Sequence, residues 1–138
     1  MTQIKENSTL NQNKELSALQ CPVTYVMNKI GGHWKSIIIY QLITGPMRYS
    51  ELRRAIPVIT EKMLIQSLKQ LEADHLITRK AEPVVPPFVT YCLSPAGEEL
   101  IPVMNAMAIW AVQDSRRYQP KQFDHCSENR LSLSTLSK

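Results

Sequence analysis

Apolar residues recur with a helical period in three segments of the first half of the chain. We expect helices over residues 22–30, 33–44 and 51–56, because glycine or proline interrupts the pattern after each of them. Ser50 is expected to supply the N-cap oxygen of the third helix. A fourth helix should run from a cap at Thr60 to about residue 74. Its apolar stripe has the spacing i, i+4, i+7 of one buried helix face and consists of Leu64, Leu68 and Leu71.

The second half of the chain predicts a hairpin and one more helix. Residues 76–80 and 88–93 are candidate strands, and the proline-rich segment 83–87 between them predicts an extended loop. Residues 47–49 allow no more than one short strand pairing. A long final helix should open at Ser94-Pro95, with Pro102 starting or kinking part of it.

This order of elements places a hairpin directly behind a short helix, a tight turn and a capped second helix. That arrangement is a helix-turn-helix followed by a wing. The predicted fold class is therefore α+β, mostly α: a winged helix-turn-helix with an added C-terminal dimerisation helix.

Length and composition are compatible with one folded domain. The chain has 138 residues, 43% of them hydrophobic, and the longest apolar run is far shorter than a membrane helix needs. We expect a flexible N-terminal arm over residues 1–16, a DNA-binding and dimerisation domain over 17–118, and a polar tail over 119–138. With no signal peptide or membrane segment in view, the protein is expected to be cytoplasmic.

The formal net charge of +4 is too small to identify a partner by itself, but its placement is informative. The arm and the tail are nearly neutral, so the excess lies in the predicted domain, and several of its bases lie in and around the helix-turn-helix. Lys62, Gln66 and either Lys69 or Gln70 share one face of the fourth helix, where they could contact base edges or phosphates. The alternative is an ordinary solvated helix face, which the helix-turn-helix context disfavours.

Basic side chains on the preceding helix and at the start of the wing are suited to contacts with DNA phosphates, although each one alone is equally compatible with a solvated surface. The predicted DNA-binding residues are Arg48, Ser50, Arg53, Arg54, Thr60, Lys62, Met63, Gln66, Ser67, Lys69, Gln70, Arg79 and Lys80.

The last helix carries a broad apolar stripe. We expect it to form a dimer interface, because one recognition helix binds DNA weakly and twofold pairing is the common remedy. The alternative is that the stripe closes the core of its own domain. The predicted interface residues are Leu100, Val103, Met104, Met107 and Trp110.

Residues 21 to about 112 resemble the HxlR family of bacterial and archaeal winged-helix transcription regulators. The resemblance rests on a set of short motifs in a fixed order: CPV at 21–23, IGGHWK at 30–35, GPMRYSELR at 45–53, IP at 56–57, EKML at 61–64, LKQLE at 68–72, PVVPP at 83–87, LSPAG at 93–97 and Trp110. It implies a homodimer that binds double-stranded DNA at an inverted-repeat operator, with dimer contacts through the N-terminal segment and the last helix. We expect the regulator to be a repressor.

The chain departs from the family pattern at three positions. Members often have glycine where His75 stands, at a helix end that favours left-handed backbone. They often carry arginine and glutamate in the wing where this chain has Phe88 and Thr90. The differences at Phe88 and Thr90 make phosphate contacts by the wing itself less expected.

Some family members sense oxidants or electrophiles through a cysteine at the position of Cys21. A thiol next to a helix N-terminus has a lowered pKa and a larger thiolate fraction, which fits that role. The alternative is an unreactive capping residue. A disulfide with Cys92 or Cys126 of the partner subunit is conceivable, and the sequence selects neither. A small molecule or an oxidant is accordingly a possible effector.

No catalytic constellation, phosphate loop or metal-ligand spacing is present in the sequence, so neither an enzyme nor a cofactor is predicted. Asp124-His125-Cys126 is rich in ligand atoms, but adjacent residues cannot easily face one ion. The alternative function is a winged-helix module for protein–protein interaction without specific DNA binding. Salt separates the two, because DNA affinity falls steeply with ionic strength.

Overall fold

The structure is a computed structural model that describes residues 21–118. The expected arm 1–16 and tail 119–138 lie outside the described residues. The chain divides into two units, one up to Glu98 and one from Glu99 onward, and each is described by itself. None of the helices between residues 21 and 118 is both long and apolar enough to cross a bilayer.

Four helices alternate with short turns in the first part of the chain, as the apolar pattern predicts. They are α1 (Pro22–Ile30), α2 (Lys35–Leu42), α3 (Tyr49–Ala55) and α4 (Glu61–Ala73). The inner face of α2 consists of Ile38, Ile39 and Leu42, which are buried, whereas Trp34 and Ile37 are half-buried.

The start of α3 differs from the prediction. The helix begins at Tyr49, so Ser50 lies inside its first turn and is not the N-cap. The backbone N–H of Arg48 donates to Glu51 Oε2 at 2.7 Å, which satisfies a donor at the helix start. The cap predicted for Ser50 was therefore wrong, because the glutamate side chain reaches back to this position.

Helix α4 begins and ends as expected. The Oγ1 atom of Thr60 accepts from the backbone N–H of Met63 at 3.2 Å, which caps the N-terminus. At the other end, His75 has a φ of 59°, the left-handed conformation that favours glycine. Helix α4 thus keeps the geometry of its C-terminal turn without glycine.

The strands form one small antiparallel sheet. Its order is β1–β3–β2, with β1 at Met47–Arg48, β2 at Ile77–Glu82 and β3 at Phe88–Leu93. β2 and β3 are the hairpin predicted from the sequence, and residues 83–87 form the loop that joins them. β1 is the short pairing expected for residues 47–49, and it joins β3 through Met47 opposite Tyr91 and Arg48 opposite Thr90.

The core of the first unit joins α4 to the rest of the fold. Leu64, Leu68 and Leu71 are at most 2% exposed, and α4 packs against α2 and β2. Buried leucine side chains of this kind stabilise a domain by about 1.5–3 kcal/mol each before packing effects. The predicted apolar stripe is confirmed as the inner face of α4.

The helix expected from Ser94 is broken into two. α5 (Pro95–Glu98) and α6 (Ile101–Tyr118) are separated by a turn at residues 99–100, and Pro102 lies in the first turn of α6, as a starting proline should. The Oγ of Ser94 accepts from the backbone N–H of Gly97 at 3.0 Å and donates to the carbonyl of His75 at 2.6 Å. Gly97 lies against the carbonyl of Leu76, where a Cβ atom would collide with the oxygen.

Truncating the stripe should destabilise the protein because Leu64 is fully buried. We expect Leu64→Ala to lower the free energy of unfolding by about 2–5 kcal/mol, measured by urea denaturation. Gln66→Ala, on the exposed face of the same helix, is the control and should change it by less than about 0.5 kcal/mol. A loss of less than about 1 kcal/mol for Leu64→Ala would show that α4 is not anchored through this stripe.

Candidate nucleic-acid interface

Helices α3 and α4 and the turn between them form a helix-turn-helix. Ile56 and Ile59 are buried at the two ends of the turn, and the N–H of Ile59 donates to the carbonyl of Ile56 at 3.3 Å. Val58 at its apex is 77% exposed. The turn is thus anchored by two apolar side chains, which fixes where α4 begins.

The outer face of α4 carries the predicted contact residues. Lys62, Gln66, Lys69 and Gln70 are all exposed, and Met63 is 37% exposed beside them. Ser67 is a correction, because it is only 4% exposed. At about 100° per residue it lies on the side of Leu64 and Leu71, so it faces the protein interior and not solvent.

An ion pair joins α3 to the first residue of α4. A guanidinium nitrogen of Arg53 lies 3.1 Å from Glu61 Oε2, and the hydroxyl of Tyr49 donates to Glu61 Oε1 at 3.3 Å. The hydrogen bond and charge of Glu61 raise the pKa of Arg53 above its usual range. Burial, with the charge of Glu61 added, raises the pKa of Tyr49. Arg53 therefore already has an anionic partner, whereas Ser50 and Arg54 on the same helix are exposed.

The wing base has a different arrangement. Lys80 pairs with Glu82 at 3.2 Å, and Arg79 is exposed on the same strand. The guanidinium of Arg48 lies 3.9 Å from the centre of the Phe88 ring. Phe88 thus holds the Arg48 side chain through a cation–π contact.

A groove of about 740 Å³ lies beside α4, between that helix and the sheet. The sequence did not predict it. Its lining combines apolar side chains with three bases and one acid: Arg48, Tyr49, Ser50, Ile65, Leu68, Lys69, Glu72, Arg79, Pro87, Phe88, Val89 and Tyr91.

Cys21 is exposed immediately before α1. The backbone N–H of Thr24 lowers the pKa of this thiol, and the Thr24 hydroxyl and the N–H of Val23 lower it further. Cys92 is half-buried, with its Sγ 2.8 Å from the Oγ1 of Thr78. Cys126 lies outside the described residues, as does the triplet 124–126. Within residues 21–118, no group of three potential ligands could hold a metal ion.

Helix α6 exposes large apolar side chains with the spacing i, i+4, i+7. Val103, Met107 and Trp110 are 41%, 43% and 66% exposed. Met104 is only 4% exposed and Leu100 lies in the turn before the helix, half-buried. Met104, which was predicted to be an interface residue, is therefore buried and does not belong to this exposed row.

Comparison with known proteins identifies the group to which this architecture belongs. The model of the HxlR-like helix-turn-helix family matches residues 29–119. An uncharacterised HTH-type transcriptional regulator of Methanothermobacter thermautotrophicus is 44% identical over 90 residues, which are 65% of this chain and 69% of the relative.

Solved structures agree in fold. The redox regulator HypR in its oxidised form has a TM-score of 0.63 and 42% identity, covering 66% of this chain and 94% of that one. The reduced form of the transcriptional regulator YodB from Bacillus subtilis has a TM-score of 0.61 and 34% identity, covering 72% and 96%. The Methanothermobacter relative and YodB are named as transcriptional regulators and HypR as a redox regulator, and none of the three is named as an enzyme. The chain belongs to the HxlR-like helix-turn-helix family of transcriptional regulators.

Proposed function

We propose that this regulator binds a specific inverted-repeat operator as a homodimer and represses transcription by covering a promoter. We also propose that it acts in the cytoplasm. The observation that carries the proposal is the two-sided character of α4. Its inner face is buried through Leu64, Leu68 and Leu71, and its outer face presents a row of exposed polar side chains. A helix held this way can lie in the major groove without disturbing the core.

The outer face offers suitable chemistry for base edges. Gln66 and Gln70 can pair with adenine through their carboxamides, and Lys62 and Lys69 suit guanine or phosphate. Met63 adds an apolar surface of the kind that contacts thymine methyl groups. The hydroxyl of Thr60 already accepts from the N–H of Met63, so its remaining hydrogen-bonding capacity would go to a phosphate.

The basic residues around α4 differ in whether they form an ion pair with a carboxylate. Among residues 21–118, Arg53 and Lys80 form ion pairs with glutamates, whereas Arg48, Arg54 and Arg79 form none. We assign phosphate contacts first to these last three, because their charge is not offset by an adjacent carboxylate. Ser50 lies at the same helix start as Arg48 and would donate to the same backbone.

Twofold pairing is assigned to the exposed face of α6. Val103, Met107 and Trp110 form a row of exposed apolar side chains, and burying such a row against a second copy removes it from water. Separately, Val23, Tyr25 and Met27 of α1 are also more than half exposed, which supports a contribution of the N-terminal segment to pairing.

A double substitution on the outer face of α4 tests the DNA assignment. We expect Lys62→Ala with Gln66→Ala to weaken retardation of a duplex carrying the chain's own upstream region by at least about 30-fold, because two contacts per subunit are lost. Lys29→Ala on α1 removes a like charge outside the helix-turn-helix and should stay within about threefold. Retardation unchanged by the double variant, with an unchanged circular dichroism spectrum, would remove α4 as the recognition helix.

The dimer is tested on the exposed face of α6. Trp110→Ser should raise the dimer dissociation constant by at least about tenfold in sedimentation equilibrium, because interfacial tryptophans contribute strongly. Gln113→Ser, on an exposed position of the same helix, should leave it unchanged. A dimer of wild-type stability in Trp110→Ser would place the interface elsewhere.

A second candidate function is thiol-based sensing through Cys21. It is favoured by the exposure of the thiol and by the hydrogen bonds that lower its pKa. HypR is described as a redox regulator, and its oxidised form is among the similar structures. Oxidation would place a new bond or group at the start of α1 and disturb the pairing of subunits. The disulfide partner stays open between Cys92 and Cys126.

Alkylation kinetics test this sensor. Because the pKa of Cys21 is lowered, its reaction with iodoacetamide should reach half its maximal rate at a lower pH than that of a model thiol, and Thr24→Ala should shift this midpoint upward. Diamide should weaken DNA retardation by the wild type and not by Cys21→Ser, with Cys92→Ser and Cys126→Ser as comparisons that identify a partner. Sensing by Cys21 would be excluded if its alkylation midpoint equalled that of a model thiol and if Cys21→Ser responded to diamide as the wild type does.

A further inference from the structure

We propose that the groove beside α4 binds a planar aromatic anion, and that this ligand competes with DNA for the same basic side chains. The inference rests on the proposed function, because it assigns an effector site to the surface that would contact DNA. It is carried by the size of the groove, by its apolar walls and by the charges on its rim.

The groove has the dimensions and walls of a small-molecule site. Its volume of about 740 Å³ lies within the usual range for such sites. Ile65 and Leu68 form the wall on α4, while Val89 and Tyr91 form the wall on β3. Ile65 is 40% exposed and Val89 is half-buried, so each wall offers apolar surface, and an aromatic ring placed against them would leave water.

The rim of the groove is cationic. Arg48, Lys69 and Arg79 line it together with a single acid, Glu72. None of these three bases forms an ion pair within residues 21–118. An anion therefore gains charge-assisted hydrogen bonds without displacing an existing carboxylate. Arginine suits a carboxylate best, because its planar fork binds both oxygens.

Arg48 is already held in position for this contact. Its guanidinium lies over the Phe88 ring at 3.9 Å, and Phe88 itself lines the groove. A side chain fixed by stacking loses less freedom when it binds a ligand. Phe88 therefore contributes both to the apolar lining and to the position of the cation.

The same residues have two uses. Arg48, Ser50, Lys69 and Arg79 line the groove and also belong to the surface proposed for DNA. A bound anion would neutralise part of the charge that attracts phosphate and would occupy the space beside α4. Ligand and DNA should then weaken each other's binding by the same factor, as linkage requires.

The test uses the full-length chain and three probes: 2-naphthoate, the neutral isostere 2-naphthamide, and inorganic phosphate. Calorimetry should give a dissociation constant below about 1 mM for naphthoate, and binding at least about tenfold weaker for each of the others. Nuclear Overhauser contacts should join the naphthalene protons to the methyl groups of Ile65 and Val89. Equal binding of the neutral probe, contacts elsewhere, or no binding of naphthoate up to about 10 mM would overturn the proposal.

Matched variants separate the ligand site from the DNA site. Lys69→Gln with Arg79→Gln, both exposed, should weaken naphthoate at least about tenfold, whereas Lys62→Gln, on the same helix but outside the groove, should leave naphthoate binding intact and still weaken DNA. Naphthoate should also release a retarded duplex, and naphthamide should not. Naphthoate bound in the groove while DNA stays fully retarded would overturn the competition. Failure of the ligand-free protein to retard DNA would contradict the proposed function instead, and the naphthoate measurements would still decide whether the groove is a site.

Discussion

Burial of the leucine stripe on α4 fixes the rotation of that helix about its own axis. Leu64, Leu68 and Leu71 are held against α2 and β2, so the residues on the opposite side must face solvent. This single constraint decides that Lys62 and Gln66 are available to a partner and that Ser67 is not. Substitutions on the outer face should therefore change binding with little effect on stability, and substitutions in the stripe should do the reverse.

A second constraint sets where α4 lies relative to α3. The buried isoleucines at the ends of the turn and the contacts of Glu61 with Arg53 and Tyr49 join the two helices at the point where α4 begins. Exposed ion pairs of this kind add little stability, about 0–1 kcal/mol. Their consequence is local: they use the charge of Arg53 inside the motif, whereas Arg48, Arg54 and Arg79 form no ion pair with any residue between 21 and 118.

Much of this architecture was accessible from the sequence because periodic apolar stripes, Thr60 and the glycine and proline breaks are local signals. The errors arose where a distant or competing contact decides the outcome. Glu51 and not Ser50 satisfies the start of α3, and the turn at residues 99–100 divides the final helix. The burial of Ser67, in contrast, follows from the predicted stripe, because at about 100° per residue Ser67 lies on the same side of α4 as Leu64 and Leu71. The groove depends on strands β1 and β3 meeting α4, so no single segment of sequence contains it.

The central claim is that the outer face of α4 and the bases around it meet DNA. Amide chemical-shift mapping of the full-length chain, titrated with a duplex from its own upstream region, measures this residue by residue. We predict that the largest shifts fall on the outer face of α4, at the start of α3 and at Arg79, and that they disappear at high salt. Shifts confined to α1 or α6, or a response that is independent of salt, would contradict the account.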